Sequence, residues 1–360
     1  MISTIVWGTG NIGRAAIRAV DAHPGLELTA VLVREPEQVG RDAGELGGLD
    51  RTLGVPATDD VAAVLDTRPR AVVFAPSGNT RSAGALDEVC AALRAGAVVV
   101  TEPIHPLYDS RDDRHEVRAP IRAAIEEGGG SLFVTSADPD WASGVLPLLL
   151  GGLGSTVDVI RCQEIVDYSG YSEPGSVRRL VGMGEPLDYL PPLLAPRMPT
   201  TVWGGQVRML ARALGVELDE IRETVSRRAL EVTVETDTMG KFEAGGQGAL
   251  RFEVQGIVGG QPRIVIEHVN RIDPTCAPDW PTLPEDVAST YRIVVEGDHR
   301  VETTVRPAVG SGEPAAGRVQ TAVGRLVGAI AWLVDRDPGL YDALDVPLRP
   351  GAREARPVTA

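Results

Sequence analysis

Apolar runs alternate with amphipathic stretches over the first 150 residues of the chain. The runs at 2–7, 28–33, 71–75, 97–101 and 131–135 are almost continuously hydrophobic, as strands buried on both faces are. Segments with helical periodicity follow them, at 12–22, 59–65, 83–95, 117–127 and 136–150. This alternation predicts an α/β fold, in which a doubly wound parallel sheet forms a Rossmann domain over residues 1–150.

The pattern changes after residue 150. Strict alternation of apolar and polar residues predicts strands with one solvated face at 157–168, 229–237, 248–258, 263–272 and 291–306, with hairpin turns at 258–261 and 296–298. Helices are predicted at 204–214 and 218–228. We therefore expect a second, α+β domain of mostly antiparallel strands over 151–306.

A stretch rich in glycine, proline and alanine at 307–317 indicates a linker. The amphipathic pattern at 319–334 predicts a long helix within a C-terminal segment, 318–350, that packs back on the first domain.

Charge and composition narrow the classes of partner. The formal net charge of −15 argues against nucleic acid and against anionic membrane surfaces. The three cysteines are far apart and lack zinc spacing, so no metal is expected and a reducing compartment fits. The first apolar run is too short for a signal peptide, and no run reaches the length of a membrane span. We expect a cytoplasmic protein.

A glycine-rich turn joins the first predicted strand to the first helix. Its sequence is Gly8-Thr9-Gly10-Asn11-Ile12-Gly13, which matches G-x-G-x-x-G. The first glycine permits the tight turn, the second admits a pyrophosphate, and the third lets helix and strand pack closely. Placed between a strand and a helix, the motif predicts a nicotinamide dinucleotide site.

Discrimination between NAD and NADP is expected at the end of the second strand. The sequence there is Val33-Arg34-Glu35. Arg34 can pair with a ribose 2′-phosphate, which favours NADP(H). Glu35 can instead accept from a 2′-hydroxyl, and Arg34 can be an ordinary solvated charge, so NAD(H) stays possible.

The ends of the other predicted strands meet at the same edge of the sheet. Pro76 and Ser77, Thr101, and Ala137 and Asp138 occupy these ends. Because ligands bind at this edge in open α/β sheets, these residues are expected to approach the nicotinamide riboside.

Several longer strings resemble one group of enzymes, the dihydrodipicolinate reductase-like NAD(P) oxidoreductases. They are VWGTGNIGRAAIRA, DPDWASGVLPLLL, EIVDYSGY and GALRFEVQGIVGGQPRIVIEHVNR. The chain is most similar to the branch of 2,4-diaminopentanoate dehydrogenase and the native amine dehydrogenases. This resemblance implies interconversion of an amine with an imine or a ketone plus ammonia, a substrate held between cofactor and second domain, and a homodimer.

The chain departs from these patterns at defined positions. It lacks the His-His-x-x-Lys stretch of dihydrodipicolinate reductase, and Lys241 is its only lysine. The closer branch implies a glycine where Asp140 stands and an asparagine near Gly328.

Glu102, His105 and His268 are the candidate catalytic residues. A carboxylate at Glu102 can stabilise a cationic nitrogen or move a proton, although a solvated strand-end acid is the alternative. His105 can donate a proton or be a surface histidine. His268 is an acid or substrate ligand if its face of the sheet meets the substrate, and otherwise a sheet histidine. Trp141, Tyr168 and Tyr171 are expected either to wall an apolar substrate pocket or to pack in the core.

These features predict an NAD(P)H-dependent enzyme that acts on a C=N bond of a small-molecule substrate. A ketone or aldehyde reductase on the same scaffold and a non-catalytic NADP(H) sensor are the alternatives. The polar and aromatic faces of the second domain favour an enzyme over a sensor.

Overall fold

The computed structural model describes residues 1–76, 84–112, 116–171, 174–284, 287–307 and 316–351. Two compact units form, Met1–Ala137 with Val319–Ala360, and Asp138–Arg318. The division falls at Ala137, earlier than the expected boundary at 150. No helix of the described residues combines the length and the apolar character needed to cross a membrane.

The strands and helices of the described residues follow in chain order. The strands are β1 (Ile2–Trp7), β2 (Leu26–Leu32), β3 (Ala57–Thr58), β4 (Ala71–Phe74), β5 (Val98–Thr101), β6 (Ser131–Val134), β7 (Val157–Asp167), β8 (Glu220–Ala229), β9 (Val234–Thr236), β10 (Gly240–Phe242), β11 (Gln247–Val258), β12 (Gln261–Arg271), β13 (Ser289–Gly297), β14 (Arg300–Val305) and β15 (Gly339–Tyr341). The helices are α1 (Asn11–Ala22), α2 (Ala43–Gly47), α3 (Val61–Asp66), α4 (Gly84–Arg94), α5 (Arg118–Gly128), α6 (Leu146–Gly151), α7 (Met198–Leu214) and α8 (Ala316–Leu333).

The first unit is built on a parallel sheet with the strand order β15-β6-β5-β4-β1-β2-β3. Its central strands β1, β4 and β5 are almost entirely buried because helices cover both faces. The order reverses between β1 and β4, and the carboxyl ends of these strands form the edge that carries ligands in such sheets. The predicted Rossmann fold is confirmed.

The C-terminal helix α8 belongs largely to this first unit. Val323, Leu326 and Ile330 share a buried core with Val6 and Ile17. Strand β15 then pairs with β6 at the edge of the sheet. The helix lies where its periodicity indicated, whereas β15 is too short to show a pattern in the sequence.

The second unit contains a mixed sheet with the strand order β14-β13-β7-β12-β11-β8. Only β7 and β12 run parallel, and the other neighbours are antiparallel, as the alternating pattern predicted. Helix α7 packs on β8, β11 and β12. A short hairpin of β9 and β10 stands apart from the sheet.

The helix predicted at 218–228 is wrong, because this segment forms strand β8. β8 is an edge strand that pairs with β11 alone. Ile221 and Arg227 are half-buried, whereas Arg222 and Arg228, which directly follow them, are exposed. Charged side chains are tolerated and useful on such an edge, so few apolar residues marked the two-residue period.

The helix predicted from 136 to 150 is also shorter than expected. The backbone at Asp138, Pro139 and Asp140 is non-helical, and α6 begins only at Leu146. A proline disfavours helical geometry at the residue before it and lacks an N–H group. Asp140 has φ of 112°, a region that favours glycine. This explains why the related branch implies a glycine at this position.

Candidate functional site

Gly8 closes the turn after β1 with a conformation that only glycine adopts easily. Its φ is +107°, and a Cβ atom there would lie 2.2 Å from the carbonyl oxygen of Ala75. The Gly8 N–H donates to the carbonyl of Leu32 at 2.8 Å. The turn is therefore pressed against the ends of β2 and β4, as a dinucleotide-binding turn requires.

Among the residues that the structure describes, no side chain caps the start of α1 by a hydrogen bond, so this helix end suits an anion. Gly10 is the N-terminal cap and offers no side-chain hydrogen bond, and the first turn, which contains Asn11 and Ile12, has no acidic residue. The N-terminal amides and the helix dipole are then available to a pyrophosphate. At Gly13 a Cβ would lie 1.9 Å from the Gly8 carbonyl oxygen. These residues fit the nicotinamide dinucleotide that the motif implies.

Replacing Gly13 with alanine is expected to weaken binding of NADPH at least tenfold, because the new methyl group must push the turn away from α1. Isothermal titration calorimetry measures this directly. Gly328→Ala is the matched control, since this helical glycine faces open space and alanine there favours the helix by about 1 kcal/mol. Equal affinities in the two variants would contradict the role of Gly13.

Two side-chain contacts fix the loop after β2. The Thr9 hydroxyl donates to Oε1 of Gln38, which ties this loop to the glycine turn. Arg34 Nη2 lies 2.5 Å from Oε2 of Glu88 on α4. Arg34 therefore follows the end of β2, where folds of this kind read the ribose 2′ substituent, and it is paired with Glu88.

The residues predicted at the other strand ends of the first unit are small and largely buried. The Thr101 hydroxyl donates to the carbonyl of Phe74 at 2.7 Å and is fully buried. Pro76 is half-buried and Ala137 is buried. Ser77 lies outside the described residues.

Glu102 follows β5 directly and lies in the first unit. The Ser136 hydroxyl donates to its Oε2 at 3.2 Å, and the Tyr108 hydroxyl donates to its backbone carbonyl at 3.0 Å. His105 begins the turn that ends at Tyr108, and the two rings stack with centroids 6.0 Å apart. Glu102 is thus held at the strand edge that carries ligands, and His105 lies three residues beyond it.

Asp138, which was predicted to approach the nicotinamide riboside, has its side chain in a buried cluster of the second unit. Its Oδ2 accepts from Trp203 Nε1 at 2.9 Å and is 2.8 Å from His268 Nε2. The His268 ring stacks on Phe252 with centroids 4.7 Å apart and also contacts Trp203. The side chains of Asp138 and His268 are only 4% and 3% exposed, so this pair is almost completely desolvated.

Glu164 completes the cluster with a second carboxylate. Its Oε2 is 3.5 Å from His268 Nε2, and its Oε1 is 3.1 Å from Nη1 of Arg318. Tyr291 shares a hydrogen bond with Glu164 and Tyr168 shares one with Arg318. Asp138 and Glu164 therefore both approach the His268 imidazole, and Arg318 pairs with Glu164.

The register of the strands explains why these residues meet. Phe252 of β11 is opposite His268, His268 is opposite Glu164 of β7, and Glu164 is opposite Tyr291 of β13. Directly opposed residues on neighbouring strands project from the same face. The four residues therefore form one row across the sheet.

Burial and hydrogen bonding shift the pKa of the Asp138 carboxyl in opposite directions. Desolvation raises the pKa of this carboxyl, but hydrogen bonds and charge from His268, with hydrogen bonds from Ser143 and Trp203, bring the pKa below its ordinary value. Burial also raises the pKa of the Tyr168 and Tyr291 hydroxyls. Asp138 is thus the ionised acceptor, and both tyrosines stay neutral. Tyr291 donates to Glu164, whereas Tyr168 accepts from Arg318.

Asp138, Glu164 and His268 offer ligand atoms within 4.8 Å of one another, which is compatible with a metal ion. Binding a cation at Nε2 of His268 would move its proton to Nδ1, which is buried and lacks a hydrogen-bond partner among the described residues. Arg318 already supplies a positive charge to Glu164. The geometry favours a hydrogen-bonded cluster over a metal centre.

The three aromatic residues predicted for the substrate pocket also lie in the second unit. The rings of Trp141 and Tyr291 meet edge to face at 6.2 Å, as do those of Tyr168 and Tyr171 at 5.4 Å. Trp141 thereby joins the cluster through Tyr291.

Sequence patterns did not single out Glu164, Arg318, Tyr291 or Trp203. Glu164 lies on the same face of β7 as the buried residues Ile160, Cys162 and Val166, so an acid on an apolar face was an available indication. Arg318 and Trp203 lie on helices, and only the tertiary structure brings them to the sheet.

Comparison with known proteins covers both parts of the chain. Residues 2–101 match the N-terminus of dihydrodipicolinate reductase, and residues 145–356 match the 2,4-diaminopentanoate dehydrogenase C-terminal domain. A 4-hydroxy-tetrahydrodipicolinate reductase of Nostoc sp. is 42% identical over 65 residues, which cover 18% of this chain and 23% of that protein. That similarity is confined to a short segment.

Full-length similarity is found with amine dehydrogenases. The amine dehydrogenase of Streptomyces virginiae is 64% identical over 350 residues, 97% of each chain. The structure of an amine dehydrogenase from Mycobacterium smegmatis shares the fold, with a TM-score of 0.74 at 19% identity over 99% of this chain and 98% of that one. The chain therefore belongs to the family of the amine dehydrogenases and the 2,4-diaminopentanoate dehydrogenases, and it is an NAD(P)-dependent oxidoreductase.

Proposed function

We propose that this chain is an amine dehydrogenase that interconverts a primary amine with a ketone or aldehyde plus ammonia. The observation that carries the proposal is Glu102, a carboxylate held by Ser136 at the same sheet edge as the glycine turn. An ammonium or iminium nitrogen is cationic near neutral pH, and a fixed carboxylate stabilises it and can take its proton.

In the first unit, some residues would bind the cofactor and Glu102 would transfer the proton. The turn Gly8–Gly13 and the start of α1 would hold the pyrophosphate of the cofactor, and Thr101 and Pro76 would border its nicotinamide half. The cofactor would supply hydride transfer from and to the amine-bearing carbon. Glu102 takes the proton that the ammonium group loses, and water then adds to the iminium carbon and releases ammonia. In the reductive direction Glu102 returns that proton to nitrogen.

The residues of the second unit support the substrate. We propose that Trp141, Tyr168 and Tyr171 contact its apolar part, since aromatic walls with few polar groups suit a small organic ligand. His268 is buried and its Nε2 is held on Asp138. These contacts support a positioning role for His268, which fixes Asp138 and Glu164, over direct contact with substrate.

The test of this function is the consumption of NADPH with a panel of ketones and aldehydes, with and without ammonium. We expect consumption that requires ammonium and yields the primary amine, and the reverse reaction with the amine and NADP⁺. Ammonium-independent consumption would identify a carbonyl reductase. Tight NADPH binding without turnover of any carbonyl or amine would identify a sensor.

A preference for NADP(H) over NAD(H) is the second part of the proposal. Arg34→Ala is expected to weaken NADPH roughly 10- to 100-fold, since a charged hydrogen bond contributes about 1.5–3 kcal/mol, while NADH changes less than about threefold. Titration with each nucleotide measures both affinities. Equal losses for the two would place recognition of the 2′-phosphate elsewhere.

We further propose a cytoplasmic homodimer. The free thiols of Cys90, Cys162 and Cys276 fit a reducing compartment. On the sheet face opposite His268, Arg161 and Arg251 form ion pairs with Glu267 and remain about one-third exposed. Such a half-buried ionic face suits contact with a second copy. Light scattering after gel filtration measures the mass.

A further inference from the structure

Arg34 and Glu88 form an ion pair in the first unit, at the position where NADP(H) and NAD(H) are expected to be distinguished. Arg34 stands beyond the end of β2, and its Nη2 lies 2.5 Å from Oε2 of Glu88 on α4. The two side chains are 33% and 25% exposed, so the pair is accessible to a ligand. The two residues are 54 positions apart in the chain, so the sequence pattern does not reveal their contact.

Both residues of this ion pair lie on chain segments that are fixed by other contacts. The Val33 N–H donates to the Thr58 carbonyl at 3.0 Å, and the Thr9–Gln38 contact anchors the loop on its other side. Helix α4 is fixed because Val89 and Leu93 are buried in the core. The approach of Glu88 to Arg34 is therefore a feature of the fold.

The chain segment that carries Arg34 is otherwise acidic. Between residues 33 and 40, Arg34 is the only basic residue, and Glu35 and Glu37 flank it closely. Arg41 is already paired with Glu45 at 2.8 Å. A dianionic 2′-phosphate must therefore compete with Glu88 for the guanidinium of Arg34.

We propose that Glu88 is a specificity-determining residue, which occupies Arg34 as a counter-ion and thereby limits the preference for NADPH over NADH. A 2′-phosphate displaces Glu88 and is repelled by it, whereas a 2′-hydroxyl can donate to a carboxylate and leaves the ion pair intact. The inference rests on the proposed function, because it takes Arg34 as the residue that reads the 2′ position.

The test is the affinity of Glu88→Gln for the two nucleotides. Repulsion between a dianion and a carboxylate about 7 Å apart in water corresponds to about five- to tenfold in affinity. We expect Glu88→Gln to bind NADPH about five- to tenfold more tightly than the wild type does, and its affinity for NADH to change less than about twofold. Adenosine 2′,5′-bisphosphate and AMP should repeat this contrast, since they differ at the 2′ position alone. The gain should shrink at high ionic strength.

The control is Glu45→Gln, which breaks the neighbouring ion pair with Arg41 and should alter neither affinity. The second measurement is the double variant Arg34→Ala/Glu88→Gln. If Glu88 acts by competing for Arg34, the Glu88→Gln substitution should raise the NADPH affinity much less in the Arg34→Ala background than in the wild type. Exposed pairs of this kind add at most about 1 kcal/mol to stability, so these variants should fold.

Three results would overturn the inference. They are an unchanged NADPH affinity in Glu88→Gln, an equal rise for both nucleotides, and a fall for NADPH, which would make Glu88 an aligning partner of Arg34. Failure of the proposed function is distinguishable, because it is seen in the wild-type protein as a lack of nucleotide binding or of ammonium-dependent turnover, whereas the inference is tested by the affinity change in Glu88→Gln.

Discussion

Glu102→Gln lowers the turnover number of amine oxidation about 100-fold or more and leaves the affinity for the cofactor within about twofold. Glutamine has the same shape and can still accept the hydrogen bond from Ser136, so the site keeps its geometry. It lacks the negative charge and cannot take a proton, and proton transfer by a positioned group contributes about 10²- to 10⁴-fold. Steady-state rates and calorimetric titration measure the two quantities separately.

The control for this variant is Glu127→Gln, an exposed carboxylate of the same unit that pairs with Arg94. Its turnover should match that of the wild type. Glu102→Asp, which retains the charge on a shorter side chain, should recover part of the lost rate. Wild-type turnover in Glu102→Gln would remove Glu102 from the mechanism.

Asp138→Ala lowers the free energy of unfolding by about 2–5 kcal/mol, because each buried donor that loses its acceptor costs about 1–3 kcal/mol. The variant leaves the Trp203 N–H and the His268 Nε2 without their acceptor, in surroundings where His268 is 3% exposed. Urea denaturation followed by tryptophan fluorescence measures the loss. Asp158→Ala is the control, because that exposed acid pairs with Arg263 at 3.5 Å and should contribute less than about 1 kcal/mol.

The pH dependence of this loss follows from the lowered pKa of Asp138. A carboxyl whose pKa is lower in the folded state stabilises the protein fully above its unfolded value, which is ordinarily 3.8. That contribution disappears as the pH falls through the lower folded value. The difference between wild type and Asp138→Ala should therefore be constant near neutrality and narrow below about pH 4. A difference that grew on acidification would contradict the assignment of Asp138 as the ionised partner.

Family resemblance and local sequence pattern together predict the class of enzyme. The strings around the glycine turn and strands β11 and β12 indicated the family that the full-length comparisons then showed. Neither the resemblance nor the pattern gave the partners of a single side chain. Arg34 illustrates this, since its position was evident and its pairing with Glu88 was not.

The sequence by itself determined the parallel sheet, the glycine turn, the antiparallel strands of the second unit and helix α8. These features follow from short-range causes, because periodicity records which face is buried and glycine records where the backbone must turn. Only the tertiary structure decided that Asp138, Glu164, His268 and Arg318 form one cluster. Its closest pair, Asp138 and His268, is 130 residues apart in the chain. Periodicity cannot specify which strands become neighbours or in what register, and an edge strand such as β8 is stabilised by its partner rather than by its own pattern.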